Sequence, residues 1–192
     1  MTKKELRKLI RERKGQHTTV QLLSYSQDIV QKLLKRIEEI RQEKCGQNDT
    51  ESFATPHPLC ILLYHSMEDE VHTHELIRTL HATGHQILLP TVDGEDLTLH
   101  IYEGEENLST GTSYGIQESA GALFTDYANI DLAIIPGMAF TQQGDRMGRG
   151  KGFYDRLLPK LSCPLIGIAF PFQLLDFIPT EPHDVKMNEV IC

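Results

Sequence analysis

Four apolar runs along the chain predict buried β-strands. These runs lie at residues 59–64, 86–92, 131–136 and 164–170. Between the first two runs, residues 72–83 have helical spacing, with Leu76, Ile77 and Leu80 on one side, and Gly84 follows where helices commonly end. Strand, helix and strand thus occupy about 35 residues, the size of a βαβ unit. Buried runs interleaved with helical patterns predict a three-layer α/β/α fold with a mostly parallel central sheet.

Two more helices are predicted before the first strand. In the first, Thr2 can cap the amino end and Glu5 stands three residues later, as in a capping box. The second is expected to begin at Ser24 or Ser26 and to continue to about Glu43, because its apolar residues follow helical spacing. We expect the apolar face of this longer helix to pack on the core.

The remaining segments are predicted from alternation and polarity. Apolar and polar residues alternate at 97–102, which predicts a half-exposed strand. Residues 103–120 are predicted to form a loop, and residues 153–161 a helix. Residues 41–58 become polar and contain several turn-forming residues, so we interpret them as a surface insertion. The length of 192 residues suits one domain, and we expect residues 1–192 to form it.

The composition is ordinary for a soluble globular protein, with 40% hydrophobic and 24% charged residues. The longest apolar run is too short to span a bilayer, and the basic amino terminus lacks the apolar segment of a secretory signal. We therefore expect a cytoplasmic monomer without membrane contact. Cys45, Cys60, Cys163 and Cys192 lie far apart, which predicts reduced thiols, with Cys60 and Cys163 in the core.

Charge is distributed unevenly along the chain. The net charge of −8 argues against nucleic-acid binding. However, seven of the 19 Lys and Arg residues lie within residues 1–14. Lys3 and Arg7 are four residues apart, so they project from one face of the predicted helix. A solvated charged face is the commoner meaning of such a run.

A glycine-rich run carries the strongest chemical signal. Its glycines are Gly144, Gly148, Gly150 and Gly152, and its cations are Arg146, Arg149 and Lys151. Backbone approaches ligands closely at glycine, helix amino ends attract anions, and arginine can hold phosphate through two hydrogen bonds. The spacing fits neither the Walker A loop nor the dinucleotide fingerprint. The run predicts an anion-binding loop, and an ordinary glycine turn with solvated cations is the alternative.

The histidines and the nearby carboxylates give weaker signals. His72 and His74 are two residues apart and point to different faces of a helix, and a helix end is expected between His81 and His85. We therefore interpret them as surface or core histidines, not as zinc ligands. No nucleophile motif is present, which fits a phosphoryl-transfer enzyme. By chemistry alone, Asp155 suits a magnesium ligand and a helix-start carboxylate equally well.

The run from Arg146 to Arg156 also resembles a known signature. It reads Arg-Met-Gly-Arg-Gly-Lys-Gly-Phe-Tyr-Asp-Arg, and the 5-formyltetrahydrofolate cyclo-ligase family has Arg-Leu-Gly-x-Gly-x-Gly-Tyr-Tyr-Asp. Met147 and Phe153 are mild departures. The segment Lys3-Lys4-Glu5-Leu6-Arg7 is similar to an element of the family near its amino terminus, and most of residues 59–192 is similar to the rest.

The resemblance implies an ATP- and Mg²⁺-dependent ligase with a CoA transferase-like fold. The reaction implied converts 5-formyltetrahydrofolate to 5,10-methenyltetrahydrofolate and releases ADP and phosphate. The implied catalytic residues are Arg149 and Lys151. The implied ATP site comprises Lys3, Lys4, Arg7, Arg146, Gly148, Arg149, Gly150, Lys151, Gly152, Phe153 and Tyr154. The implied folate site comprises Met67, Glu70, Arg149, Phe153 and Tyr154, and the implied metal ligands are Asp155 and Asp184.

Three further positions depart from the family pattern: Ser119 replaces a proline, Thr141 replaces a common Asp, and Asn188 replaces another. Glu70 also has an alternative interpretation as an acidic residue that only stabilises the start of a helix, where negative charge is favourable.

Two other function classes remain open. One is a non-catalytic folate or nucleotide sensor on the same fold. The other is a sugar-phosphate isomerase or CoA-transferase-like enzyme, which would need no ATP.

Overall fold

A computed structural model describes residues 1–48, 57–111 and 117–192, without the side chains of 45–48. The helices of the described part are α1 (Lys3–Lys14), α2 (Thr19–Asn48), α3 (His74–Ala82) and α4 (Phe153–Leu157). Its strands are β1 (Cys60–Leu62), β2 (Gln86–Asp93), β3 (Asp96–Ile101), β4 (Leu108–Thr110), β5 (Gln117–Ser119), β6 (Leu123–Phe124), β7 (Leu132–Ile135), β8 (Ala139–Phe140), β9 (Arg146–Met147), β10 (Leu165–Ile168) and β11 (Glu189–Ile191). No helix in this part is both long and apolar enough to cross a membrane.

A seven-stranded sheet forms the centre, in the order β11-β10-β7-β1-β2-β3-β6. The first five of these strands are parallel to their neighbours, whereas β3 and β6 run antiparallel. The four predicted apolar runs supply the adjacent strands β10, β7, β1 and β2. The prediction of a mostly parallel sheet is therefore confirmed, and β11 is a strand that the apolar pattern did not indicate.

Side chains on the two faces of the sheet enter two separate apolar clusters. On one face, Leu33 of α2 and Leu76 of α3 pack with Ile61 of β1. On the other face, Leu157 at the end of α4 packs with Leu62. The three-layer prediction is thus correct, although the second helical layer contains only the five residues of α4 and a following 3-10 turn.

Helix α1 packs beside the sheet on a small hairpin, β8–β9, that precedes the glycine-rich loop. Leu6 and Ile10 of the helix contact Met138 and Met147. The predicted capping box at its start is confirmed, because the Thr2 hydroxyl accepts a hydrogen bond from the Glu5 N–H and the Glu5 side chain accepts one from the Thr2 N–H. The cationic helix is thereby held next to the loop by apolar contacts.

Helix α2 begins earlier than predicted. Thr18 precedes its first turn, and the Thr18 hydroxyl accepts from the Gln21 N–H at 3.3 Å. Ser26 lies inside the helix instead of capping it, and its hydroxyl donates to the Leu22 carbonyl at 2.9 Å, a bond that serine can make within a helix. The helix also continues to Asn48, so the start of the predicted insertion at 41–58 is helical. Residues 49–56 of that insertion lie outside the described residues.

The loop predicted for residues 103–120 contains a small hairpin, β4–β5. Residues 112–116 lie outside the described part of the chain. Ser119, in the position of a family proline, is buried and donates to the Ile101 carbonyl at 2.7 Å. Its hydroxyl oxygen also accepts from the Gly121 N–H at 3.2 Å. The serine therefore fixes this segment to β3 through hydrogen bonds.

The described cysteines are free, as predicted. Cys60 is buried in the core, but Cys163 is only half-buried, because it lies in the turn before β10 and not in the strand. Burial raises the pKa of the Cys60 thiol to about 12 and that of Cys163 to about 11. Both thiols are therefore protonated and unreactive at neutral pH.

The turn between β8 and β9 meets the carboxyl-terminal segment at Gly144. The Gly144 carbonyl accepts from the Met187 N–H at 2.8 Å, and φ at Gly144 is 89°. A Cβ at this position would lie 2.2 Å from the Met187 carbonyl oxygen. By contrast, Gly94 in the β2–β3 turn has φ of 61° and open space around it. Alanine at either position therefore meets the cost of the left-handed backbone conformation, but only alanine at Gly144 also meets steric overlap.

We predict that Gly144→Ala lowers the free energy of unfolding by more than Gly94→Ala does. Gly94→Ala should cost about 1–2 kcal/mol, because only the left-handed backbone conformation opposes it. Gly144→Ala should cost about 1–3 kcal/mol more, because backbone must also move to relieve the overlap. Urea unfolding of the two variants measures this difference, and equal losses would show that the 144–187 contact adapts freely.

Candidate active site

A cavity of about 240 Å³ opens at the carboxyl ends of the parallel strands. One side comes from the segment after β1, one from the residues after β7, and one from the glycine-rich loop. The lining residues are Tyr64, His65, Met67, Glu70, Pro90, Val92, Leu97, Glu118, Pro136, Gly137, Arg146, Gly148, Arg149, Gly150, Lys151, Gly152, Phe153, Tyr154 and Asp155. The carboxyl edge of parallel strands is where open α/β sheets bind ligands.

The glycine-rich loop connects β9 to α4 along this cavity. Gly152 immediately precedes α4 with φ of 75°, a conformation that glycine adopts without strain. The predicted helix of residues 153–161 is short, because α4 ends at Leu157 and a 3-10 turn follows. A helix of five residues has little dipole, so anion binding at this loop depends on the cations and on loop N–H groups.

Arg146 is the buried anchor of the loop. One guanidinium nitrogen donates to the Pro136 carbonyl at 3.1 Å, and the other donates to the Asp155 carboxylate at 2.7 Å. The guanidinium also lies 5.4 Å from the centre of the Tyr154 ring. Burial lowers the pKa of Arg146, whereas the charge of Asp155 opposes that shift. Arg146 thus ties the end of β7 to the start of α4.

Arg149 crosses the cavity mouth and pairs with two carboxylates. Its guanidinium donates to Asp69 at 2.6 Å and to Glu70 at 2.9 Å. Lys14 at the end of α1 binds Asp69 as well, at 3.1 Å. Burial raises the pKa of Asp69, but the hydrogen bond from Arg149 and the charge of Lys14 outweigh it, and the net pKa is lowered. The structure therefore joins Arg149 to Glu70, two residues that the family resemblance implies for the folate site.

Helix α1 lies next to the loop, and among Lys3, Lys4 and Arg7, which the resemblance implies for the ATP site, Arg7 is the one that contacts the loop. The Arg7 Nε donates to the Gly148 carbonyl at 2.9 Å, and the guanidinium lies against Gly150. Lys3 instead donates to Asp184 at 2.8 Å. Lys4 is exposed to solvent. Neither lysine lines the cavity.

The two residues implied as metal ligands lie in different surroundings. Asp155 lines the cavity and has 38% of its side chain exposed, while Asp184 is absent from the lining and is held by Lys3. Asp184 also accepts from the Glu181 N–H at 2.8 Å. Within residues 1–48, 57–111 and 117–192, no group of three or more His, Cys, Asp or Glu residues is placed to hold a metal ion.

Three cavity residues with polar side chains were missed by the sequence reasoning: Tyr64, His65 and Glu118. Glu118 lies on β5, and its carboxylate accepts from the Val92 N–H at 3.1 Å. His65 follows β1, one position beyond the predicted apolar run. Glu118 belongs to a Gly-Ile-x-Glu stretch that is similar to a family segment, so a signal existed there. His65 also carried a signal, because it directly follows a predicted parallel strand and open α/β sheets bind ligands at the carboxyl ends of their strands, but the sequence reasoning did not apply that rule to it.

Fold and cavity together define an open-sheet α/β protein with a cavity for a small ligand beside a cationic, glycine-rich loop. The particular family follows from comparison with known proteins. A sequence model described as the 5-formyltetrahydrofolate cyclo-ligase family matches residues 1–192. The chain therefore belongs to the 5-formyltetrahydrofolate cyclo-ligase family, and it is a ligase.

Individual relatives agree with this assignment. The 5-formyltetrahydrofolate cyclo-ligase of Mus musculus is 29% identical over 145 residues, which cover 68% of this chain and 71% of the mouse protein. The protein of the same name from Haemophilus influenzae is 26% identical over 98% of this chain and 96% of its own. The solved 5,10-methenyltetrahydrofolate synthetase of Aquifex aeolicus superposes with a TM-score of 0.79 at 25% identity, covering 100% of this chain and 89% of that one.

We predict that Arg146→Met is much more destabilising than Arg156→Met. Both arginines pair with an Asp and lie near an aromatic ring, but the Arg146 side chain is 5% exposed and the Arg156 side chain 40%. Loss of the buried charge-assisted contacts should cost about 2–3 kcal/mol. Loss of the exposed pair should cost less than about 1 kcal/mol. Denaturant unfolding measures both, and similar losses would show that Arg146 does not anchor the loop.

Proposed function

We propose that the protein converts 5-formyltetrahydrofolate to 5,10-methenyltetrahydrofolate with ATP and Mg²⁺, releasing ADP and phosphate. One observation carries the proposal: a single cavity has a glycine-rich cationic side and an apolar side with a carboxylate. The first suits phosphate groups, and the second suits a flat ring system with N–H donors. The names of the relatives support the same reaction.

The ATP phosphates would lie along the glycine-rich loop. Arg7 already reaches Gly148, while Arg149 and Lys151 border the cavity. Backbone N–H groups among glycines can approach phosphate oxygens closely. Arg149 must exchange its carboxylate partners for phosphate. Lys3 and Lys4 would add contacts from the amino end of α1. Each charge-assisted contact of this kind contributes about 1.5–3 kcal/mol.

The folate ring system would occupy the other side of the cavity. Met67, Phe153 and Tyr154 offer apolar surface there, and Glu70 offers a carboxylate whose side chain is 14% exposed. One Glu70 oxygen accepts from the Met67 N–H at 3.1 Å, so the carboxylate is held in place. Its remaining lone pairs can accept hydrogen bonds from ring N–H groups of the substrate.

The proposed reaction has two steps. The formyl oxygen attacks the γ-phosphorus of ATP, and ADP leaves with the electrons of the broken P–O bond. The N10 nitrogen then attacks the activated carbon, loses its proton, and expels phosphate as the C–O bond breaks. Phosphorylation is needed because an amide oxygen is a poor leaving group. Arg149 and Lys151 stabilise the negative charge that shifts between phosphate oxygens in both steps.

Asp155 fits a magnesium ion better than Asp184 does. Magnesium is usually held by one or two carboxylates together with phosphate and water oxygens. The Asp155 side chain borders the cavity next to the loop, and Arg146 contacts only one of its two oxygens. Asp184 would first have to release Lys3. When bound, magnesium would neutralise charge between neighbouring phosphates. Side-chain cations cannot approach two phosphate groups as closely.

We predict that the purified protein forms the methenyl-folate chromophore from 5-formyltetrahydrofolate only when ATP and Mg²⁺ are present. One ADP should appear for each product molecule, because each cyclisation uses one phosphoryl group. Ultraviolet absorbance and a coupled ADP assay measure the two products. Ligand binding without turnover would indicate a sensor, and turnover of another substrate without ADP would indicate an isomerase or transferase.

We predict that Asp155→Asn severely weakens the use of Mg-ATP while folding stays nearly intact. The amide oxygen can still accept a hydrogen bond from Arg146, but the charge that attracts magnesium is lost. Turnover across a magnesium titration, the melting temperature and folate affinity without ATP measure the effect. Asp96→Asn, which removes an exposed carboxylate paired with Arg156, is the matched control. Turnover equal to that of the parent at every magnesium concentration would restrict Asp155 to holding Arg146.

A further inference from the structure

We propose that His65 accepts the proton that N10 loses during ring closure. This inference rests on the proposed function, since it assigns a residue to the second step of that reaction. The N10 nitrogen carries one hydrogen before it attacks the activated carbon. In the cyclised product that nitrogen has no hydrogen, so a proton must leave during the step. A group on the cavity wall with a free, unprotonated lone pair is the natural acceptor.

In the proposed reaction the other titratable groups of the described cavity wall have other roles: the cations of the loop contact phosphate, Glu70 accepts from substrate N–H groups, and Asp155 holds magnesium. Glu70 receives hydrogen bonds on both carboxylate oxygens, from Arg149 and from the Met67 N–H. Asp155 binds Arg146, and Glu118 binds the Val92 N–H. The tyrosines retain their protons, because burial raises their pKa values. His65 is the remaining candidate among the described residues of the wall.

The His65 ring has the required access. It has no hydrogen-bond partner in the described part of the chain, although it lines the cavity. Among the described residues, Thr91 is the one with a polar side-chain atom that is both fully buried and without a partner. The ring nitrogens of His65 also lack a partner among these residues, so they are not fully buried and are available to a bound substrate.

Neighbouring groups hold the ring in place and keep it neutral. The His74 ring stacks on His65 with 3.7 Å between ring centres, and the His74 Nε2–H donates to the Ser66 carbonyl at 2.9 Å. Burial, together with His74 and His72, lowers the pKa of His65 to about 4, and Glu105 opposes that shift. The imidazole is therefore unprotonated at pH 7 and can take up a proton.

A weak base is sufficient for this step. The N10 nitrogen is attached to an aromatic ring that also bears a carbonyl group, so its protonated form is a strong acid. As the N10–carbon bond forms, the N10–H electron pair stays on nitrogen and the proton passes to the His65 lone pair. The C–O bond then breaks, and phosphate leaves with its electrons. The imidazolium afterwards returns the proton to solvent or to phosphate.

The test compares His65→Ala with His72→Ala. His72 belongs to the same group of imidazoles, with its ring centre 4.3 Å from that of His74, but it does not line the cavity. We expect kcat of His65→Ala to fall by about a hundredfold with little change in KM, because loss of a general base acts on the chemical step. We expect His72→Ala to retain the parent rate, because burial and His74, the two larger influences on the pKa of His65, remain in that variant. Added imidazole should restore turnover of His65→Ala in proportion to its concentration.

A first-turnover measurement separates the two steps. Phosphoryl transfer does not need His65, so ADP should form in His65→Ala well before the methenyl absorbance appears. In the parent protein the two signals should rise together. His65→Asn, which has a smaller side chain that cannot take up a proton at neutral pH, serves as a second variant if the alanine form folds poorly.

Equal kcat for His65→Ala and the parent would overturn the assignment of His65 and leave the proposed function intact. A rate loss that imidazole does not rescue and that His72→Ala shares would also overturn it, because the residue would then act only through packing. Absence of ATP-dependent product in the parent protein would overturn both proposals. A rescued rate loss with early ADP would establish His65 as the proton acceptor.

Discussion

The site depends on one buried guanidinium. Arg146 connects the end of β7, the start of α4 and the ring of Tyr154 from within the protein interior. The loop folds around this side chain, and a Cβ at Gly148 would lie 3.1 Å from its nitrogen. A buried arginine can remain charged only if its donors are satisfied, and here a carbonyl and a carboxylate satisfy two of them. The loop can therefore hold a fixed shape without many apolar contacts.

The cations around the cavity are largely paired in this structure. Arg149 is bound to Asp69 and Glu70, and Lys3 is bound to Asp184. Pairing reduces the repulsion between like charges that the loop would otherwise carry. It also means that an anionic ligand, if bound here as proposed, would compete with internal carboxylates and exchange one set of ion pairs for another. In the proposed function, the carboxylates released in this way would become available to substrate donors or to a metal ion.

Three departures from the family pattern, at Ser119, Thr141 and Asn188, have local structural explanations. Ser119 replaces the stiffness of a proline with two hydrogen bonds to neighbouring backbone. Thr141 is buried, and its hydroxyl bonds to both the N–H and the carboxylate of Asp145, which closes the turn before the loop. The Asn188 side chain accepts from the Leu165 N–H at 2.7 Å, a bond that a carboxylate could also make. None of the three lines the cavity.

By itself, the sequence determined the parallel centre of the sheet, the capping of α1 and the cationic glycine-rich loop, because each depends on residues close together in the chain. It misplaced the start of α2 at Ser24 or Ser26, whereas the helix begins directly after Thr18. Only the tertiary structure decided which charges meet. Arg149 and Glu70 are 79 positions apart, and Lys3 and Asp184 are 181 apart. No local pattern encodes such pairs, since they form only when folding brings the segment after β1 next to the glycine-rich loop and the start of α1 next to the carboxyl-terminal segment.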